Sequence, residues 1–256
     1  MDPGHAVRSV GRVLGWIGGG LITLLVLGMI AIVVYGNVGV RQAESVPLAT
    51  VRNDPRIDLV HSDGAWVMTP TDGQAAEGQA TDGLVFIPGA KVDPLAYASM
   101  LAGLVREGVT VIITKPTLNL AFFDLRRLTA FTALAPWVQR WAVGGHSLGG
   151  VRACQLVGGG GVQTLVLFAS YCARDISGTD VRVLSVSGSR DGLSTPTKIN
   201  NARPLLPADA ESVVIDGANH ASFGAYGDQP GDGTATESSA TVQAEIDDAV
   251  LRFLTG

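Results

Sequence analysis

Basic clusters are missing from this chain. Its 18 Lys and Arg are outnumbered by 23 Asp and Glu, giving a net charge of −5. No run of lysines or arginines could neutralise a row of phosphates, which argues against a nucleic acid partner. Cysteine is nearly absent. Cys154 and Cys172 form no CxxC pair and show no Cys/His ligand spacing, which argues against a structural zinc site. Charged residues of both signs make up only 16% of the 256 residues, well under the usual quarter. A chain of this length can still bury one large α/β domain or two small ones.

The apolar surplus is concentrated near the N-terminus. Residues 13–35, VLGWIGGGLITLLVLGMIAIVVY, carry no charge and are long enough as a helix to cross a hydrocarbon core of about 30 Å. A cleaved signal peptide should have a shorter apolar region of about 7–15 residues ending in a small-residue cleavage site, so a retained anchor is the expected reading. Arg8 and Arg12 stand just before the span, whereas the arginines after it are more distant and mixed with acids. That bias predicts a single-pass protein of the cell membrane. Residues 1–12 are then a cytoplasmic tail, and the large domain is extracytoplasmic.

Residues 36–56 are polar and punctuated by Gly36, Gly39, Pro47 and Pro55, and read as a linker. From 57 to 256, strand and helix patterns alternate. Residues 57–61 and 65–69, separated by SDG, form an expected hairpin, followed by a polar loop, TDGQAAEGQATDG. Further strands are expected at 84–87, 109–114, 141–143, 164–169, 181–186 and 212–215, with helices at 94–107, 123–134, 148–157, 197–206 and 241–254. Strands alternating with helices imply βαβ crossovers and a mostly parallel sheet.

The stretch GGHSLGG at 144–150 contains the G-x-S-x-G pattern of a nucleophile elbow. In a chain with 33 glycines the pattern alone is cheap. Its context is not: a strand ends before it and a helix starts after it, as an elbow requires. Small residues flank Ser147, and the backbone N–H of Leu148 at the helix N-terminus can face a developing oxyanion. A serine nucleophile needs a base. Of four histidines, His5 precedes the apolar span, His61 lies in the hairpin, and His146 neighbours the serine with its side chain directed elsewhere. His220, in GANHASFG after the last strand, remains. An acid should stand between the two in sequence, at the carboxyl end of a strand. Asp191 in SGSRDGLSTP fits best, with Asp175 as competitor. The loop after strand 84–87 reads PGAKVDP, and the N–H of Ala90, or less well Lys91, is the candidate second oxyanion donor.

These blocks together resemble the α/β-hydrolase superfamily, over residues 57–254. Within it they resemble a subgroup of small, capless bacterial proteins, some similar to dienelactone hydrolases. The carriers are FIPGAKVDPLAY, WAVGGHSLGG, SGSRDGLSTP and GANHASFGAYGDQPGDG, in the family order. The resemblance implies an eight-stranded, mostly parallel sheet with helices on both faces, and Ser147, Asp191 and His220 as a catalytic triad. The family's oxyanion turn usually reads PGG; here it is PGA.

Only SYCARDISGTD separates the strands at 164–169 and 181–186. No helical cap fits there, so an open cleft is expected. Its walls should come from residues 119–123, Tyr171, Cys172 and Phe223, with Lys91, Tyr171 and Phe223 as substrate contacts. The segment SFGAYGDQPGDGTATESS after His220 carries three acids, Asp228, Asp232 and Glu237. They match no EF-hand spacing, so a rigid loop bracing the histidine is expected rather than a calcium site. Export would permit a Cys154–Cys172 disulfide. Cys154 should lie on the buried side of the elbow helix, and two free thiols are expected. The whole reading is an anchored serine hydrolase of small esters or lactones, needing no metal and no cofactor. Its rivals are an acyltransferase with the same triad and a non-catalytic binding module on the same fold.

Overall fold

The computed structural model describes residues 3–71 and 81–255, in two compact units, Met1–Gly39 and Val40–Gly256. The polar loop expected at 71–83 lies mostly outside the described residues. The first unit is a single helix, α1 (Pro3–Asn37), so the expected N-terminal tail is helical from Pro3. Its Gly19–Asn37 stretch is long and apolar enough to cross a membrane, by length and composition. A membrane anchor and a signal sequence both have this form.

The second unit is built on one eight-stranded sheet in the order β1-β2-β4-β3-β5-β6-β7-β8. The strands are β1 (Ile57–Ser62), β2 (Ala65–Pro70), β3 (Asp82–Ile87), β4 (Thr110–Thr114), β5 (Arg140–His146), β6 (Thr164–Phe168), β7 (Arg182–Gly188) and β8 (Glu211–Ile215). β1 pairs antiparallel with β2, and β2 antiparallel with β4; all other pairings are parallel. Asp63 and Gly64, both at positive φ (43° and 73°), close the opening hairpin as a two-residue turn matched to strand twist.

Alternation along the central strands divides the interior into two cores. Leu84, Phe86, Val111, Ile113, Val166 and Phe168 face one side, where they meet α3 (Ala98–Arg106) and α7 (Ser239–Thr255). Val85, Ile87, Ile112, Val143, Leu165 and Leu167 face the other, toward α4 (Leu128–Thr132) and α5 (Leu148–Leu156). Both faces being covered explains why 110–114 reads as an unbroken apolar, β-branched run.

Three expectations change. The presumed linker carries α2 (Ser45–Arg52), whose Val51 is buried in the first core. Pro47 does not break it, because a proline in the first turn lacks only an N–H that the helix leaves unpaired anyway. The helix expected over 123–134 shrinks to α4. Asp124 turns its carboxylate onto the backbone N–H of Arg126 at 3.2 Å, a local bond that competes with helix formation. Finally, Cys154 and Cys172 are joined in a disulfide with Cα atoms 5.6 Å apart. Cys154 is buried on α5 as expected, but Cys172 is buried against the same face, so two buried thiols meet rather than remain free.

Candidate active site

Parallel strands bring the loops after β3, β5, β6, β7 and β8 to one edge of the sheet, where α/β sheets bind ligands. At that edge β5 ends at His146 and α5 begins at Leu148, leaving Ser147 alone between them. Its backbone sits at φ 53°, ψ −122°, a conformation that is strained for a residue with a side chain. The chain holds it there by pairing: Ser147 N–H donates to Phe168 O at 3.0 Å, and Ser170 Oγ donates to Ser147 O at 2.7 Å. The turn passes so close to β3 that a Cβ on Gly149 would overlap Ile87 O, and one on Gly145 would come within 2.6 Å of it. The glycines around Ser147 are therefore needed for packing as well as for the bend.

Asp191 stands on the loop after β7 and His220 on the loop after β8. Asp191 Oδ2 lies 2.8 Å from His220 Nδ1, and both side chains are buried. Asp191 Oδ1 accepts from the N–H groups of Leu193 at 2.8 Å and Ser194 at 2.7 Å. Every Asp191 oxygen is thus committed, and the carboxylate fixes the imidazole with Nδ1 toward itself and Nε2 away from it. The competitor Asp175 is exposed and bonds Ser177 N at 2.9 Å and Ser177 Oγ at 2.7 Å. Those hydrogen bonds hold its carboxyl below the usual range.

Ser147 and His220 line one cavity of about 310 Å³ together with Ala90, Leu148, Tyr171 and Leu193. Leu148 is the first residue of α5, so its N–H has no partner within the helix. The Lys91 N–H donates to Asn119 O at 2.8 Å, which leaves Ala90 as the better-placed donor of the two. A larger hollow of about 660 Å³ lies by the far end of α5, lined by Arg127, Leu156 and Gly158 among others. It contains neither Ser147 nor His220.

Two expected substrate contacts fall outside the lining of the Ser147 cavity. Phe223 is fully buried, 6.1 Å from the His146 ring in a stacked arrangement and 6.0 Å from Phe168. The short turn Ala221–Phe223 directly after His220 swings it back into the core. Lys91 is not among the residues that line the cavity; its backbone is left-handed (φ 58°) and its N–H donates to Asn119 O. Tyr171 does line it. Cys172 is drawn under α5 by the disulfide, and residues 119–123 lie outside the lining.

Comparison with known proteins bears on the fold. The alpha/beta hydrolase family model matches residues 83–244. The chain belongs to the alpha/beta hydrolase family. Among solved structures, this hydrolase is similar to TT1662 from Thermus thermophilus, at TM-score 0.55 and 14% identity, covering 78% of this chain and 99% of that one. At that identity the likeness is one of fold. No curated protein matches the chain.

Two groups outside the expected set of site residues, Asp232 of the expected bracing loop and His146, adjoin the site. Asp232 Oδ1 accepts from Gly192 N at 3.0 Å and His220 N at 3.1 Å, and Oδ2 accepts from Ala221 N at 2.9 Å. One carboxylate therefore ties the loop of the acid to the loop of the histidine. The other is His146, buried with its ring centroid 4.5 Å from that of His220. Asp232 is one of three acids in the segment expected to brace the histidine; nothing local pointed to a role for His146.

Proposed function

We propose that this hydrolase is a membrane-anchored serine hydrolase that cleaves carboxylic esters or lactones, with Ser147 as nucleophile, His220 as base and Asp191 as the orienting acid. The observation that carries the reading is the buried Asp191–His220 pair at 2.8 Å, sharing one small cavity with a serine held at a strained elbow. Ser147 Oγ attacks the carbonyl carbon while His220 Nε2 takes its proton. Asp191 steadies the imidazolium that forms. The negative charge that develops on the carbonyl oxygen is met by the N–H groups of Leu148 and Ala90, each such donor being worth about 3 kcal/mol. Collapse expels the alcohol, which takes the proton from His220. Water, deprotonated by the same histidine, then releases the acid from Ser147.

The described residues between β6 and β7 form no helix or strand, which supports a site without a helical cap and a preference for small esters. The apolar helix α1 supports the anchor. The disulfide supports an oxidising, extracytoplasmic location, since such bonds persist in exported proteins.

A fluorophosphonate probe and a chain-length series of p-nitrophenyl esters beside small lactones test the reading. Wild type is expected to be labelled and to turn over short esters fastest, and Ser147→Ala to lose both properties. Labelling that persists in Ser147→Ala, or is absent in wild type, overturns the assignment. Ester products formed in the presence of a competing alcohol would mark acyl transfer instead of hydrolysis.

A further inference from the structure

A chain of hydrogen bonds runs through the apolar interior beneath the site, and its two ends lie on catalytic loops. Gly89 N–H donates to Tyr97 Oη at 3.0 Å. Tyr97 Oη lies 2.9 Å from His146 Nδ1, and His146 Nε2 lies 3.2 Å from the backbone oxygen of His220. An N–H at one end and a C=O at the other leave a single assignment of protons. Tyr97 accepts from Gly89 and gives its own proton to Nδ1, so His146 carries its proton on Nε2 and donates it to His220 O. We propose that Tyr97 and His146 are positioning residues of the reaction, holding the oxyanion loop and the loop of the base in register with Ser147.

This inference rests on the serine-hydrolase reading above. Three features support it. First, the termini are not arbitrary: Gly89 immediately precedes Ala90, the candidate oxyanion donor, and the far end is the backbone of the base. Second, His146 is covalently joined to Ser147, so one imidazole couples all three segments that meet the substrate. Third, a polar chain through an apolar interior is costlier than aliphatic filling unless every member is satisfied, and here each is. Tyr97 and His146 are both almost wholly buried, among Phe86, Phe223 and Tyr226. Gly89 belongs to the device as well. A Cβ there would press to 2.8 Å from His146 Nδ1 and 3.0 Å from Tyr97 Oη.

Burial, and next the charge of His220 nearby, hold His146 well below the usual imidazole range, while burial pushes the Tyr97 phenol well above its own. Both directions favour the neutral form of each group. That matters because the rings of His146 and His220 are 4.5 Å apart. A charge on His146 would oppose the proton that His220 must accept.

The test compares Tyr97→Phe, His146→Leu and His146→Gln in the full-length chain, counting active sites with a fluorophosphonate. Per titrated site, kcat is expected to fall about 10- to 100-fold in Tyr97→Phe and His146→Leu, as for a misplaced catalytic group. KM should change little, and affinity for a boronic-acid mimic of the tetrahedral intermediate should fall in parallel. His146→Gln keeps one acceptor and one donor and should recover most of the loss. A lower titrated fraction or melting temperature with kcat per site unchanged overturns the proposal, leaving a role in folding alone. Wild type that neither labels nor hydrolyses overturns the hydrolase reading, and this inference with it. Nitrogen-15 NMR of wild type reads the relay even if a variant fails to fold. His146 should be the neutral Nε2–H tautomer throughout pH 5–8, and an Nδ1–H tautomer or a protonated ring would overturn the assignment.

Discussion

Asp232 touches no reacting atom, yet its two oxygens take hydrogen bonds from Gly192, His220 and Ala221. An amide in its place presents N–H where one of those oxygens was, so at least one backbone donor loses its partner, at a cost of about 1–3 kcal/mol. Part of that cost should appear in catalysis, because the bonds set the spacing of Asp191 and His220. Asp232→Asn is expected to lower kcat by roughly 10-fold at near-constant KM. Steady-state kinetics on a p-nitrophenyl ester, corrected for titrated sites, measures it; an unchanged kcat would limit Asp232 to stability. The contrast with the proposed triad shows what sequence can carry at this scale. Ser147, Asp191 and His220 follow one another in an order and a strand context that can be read directly. Asp232 and His146 have no such order. Their partners, backbone groups of loops and the Tyr97 hydroxyl, are brought near only by the sheet, so their neighbourhood exists only in the fold.

Elements were legible where one force dominated. The central strands stand out because burial on both faces demands uninterrupted apolar, β-branched runs, and the α3 segment because Pro94 stands at its start and Gly108 just past its end. They were illegible where a local polar bond decided, as at Asp124, or where a proline was harmless by position, as at Pro47 in α2. The packing of α3 on α7 shows the same limit. Asp247 looks like a solvent-facing acid of an amphipathic helix. Instead it lies against Gly103 so closely that a Cβ there would overlap its carboxylate, and its Oδ1 is buried without a hydrogen-bond partner. Burial, with Glu107 assisting against an opposing Arg106, pushes its carboxyl up from 3.8 to about 7. The folded chain therefore holds a proton that the unfolded chain releases near pH 4. Stability contributed by this group is full below pH 4, declines as pH rises to about 7, and is flat above. Asp247→Asn should abolish the decline. Because the group is partly open to solvent, the gain at pH 8 should be about 1–2 kcal/mol, falling to near zero at pH 4. Urea denaturation of both proteins at the two pH values measures it, and equal midpoints at pH 8 would mean that water reaches the carboxylate.

At the scale of the whole molecule, two separate features bear on where the enzyme works. The first unit is the apolar helix α1, and the second unit, which begins at Val40, contains a disulfide. That bond closes a stretch of 18 residues, a loop for which chain entropy gives about 3 kcal/mol of stabilisation. In a reducing cytosol this contribution would be lost; outside the cytoplasmic membrane it persists. A retained anchor with the weak basic bias at Arg8 and Arg12 then predicts a definite topology. In membranes from cells expressing the full chain, the protein should resist alkaline carbonate extraction. A chain starting at Val40 behind a cleavable export signal should be released. Protease added outside spheroplasts should digest the catalytic unit, and Cys154 and Cys172 should resist alkylation until a reductant is added. A cleaved signal would give the opposite extraction result, a mature N-terminus beyond α1 in the soluble fraction, with the same protected cysteines. A cytoplasmic catalytic unit would give protease resistance and two alkylatable thiols. Extraction, protease access and thiol protection therefore separate the three topologies, and only the anchored, outward-facing one keeps all three expected results together.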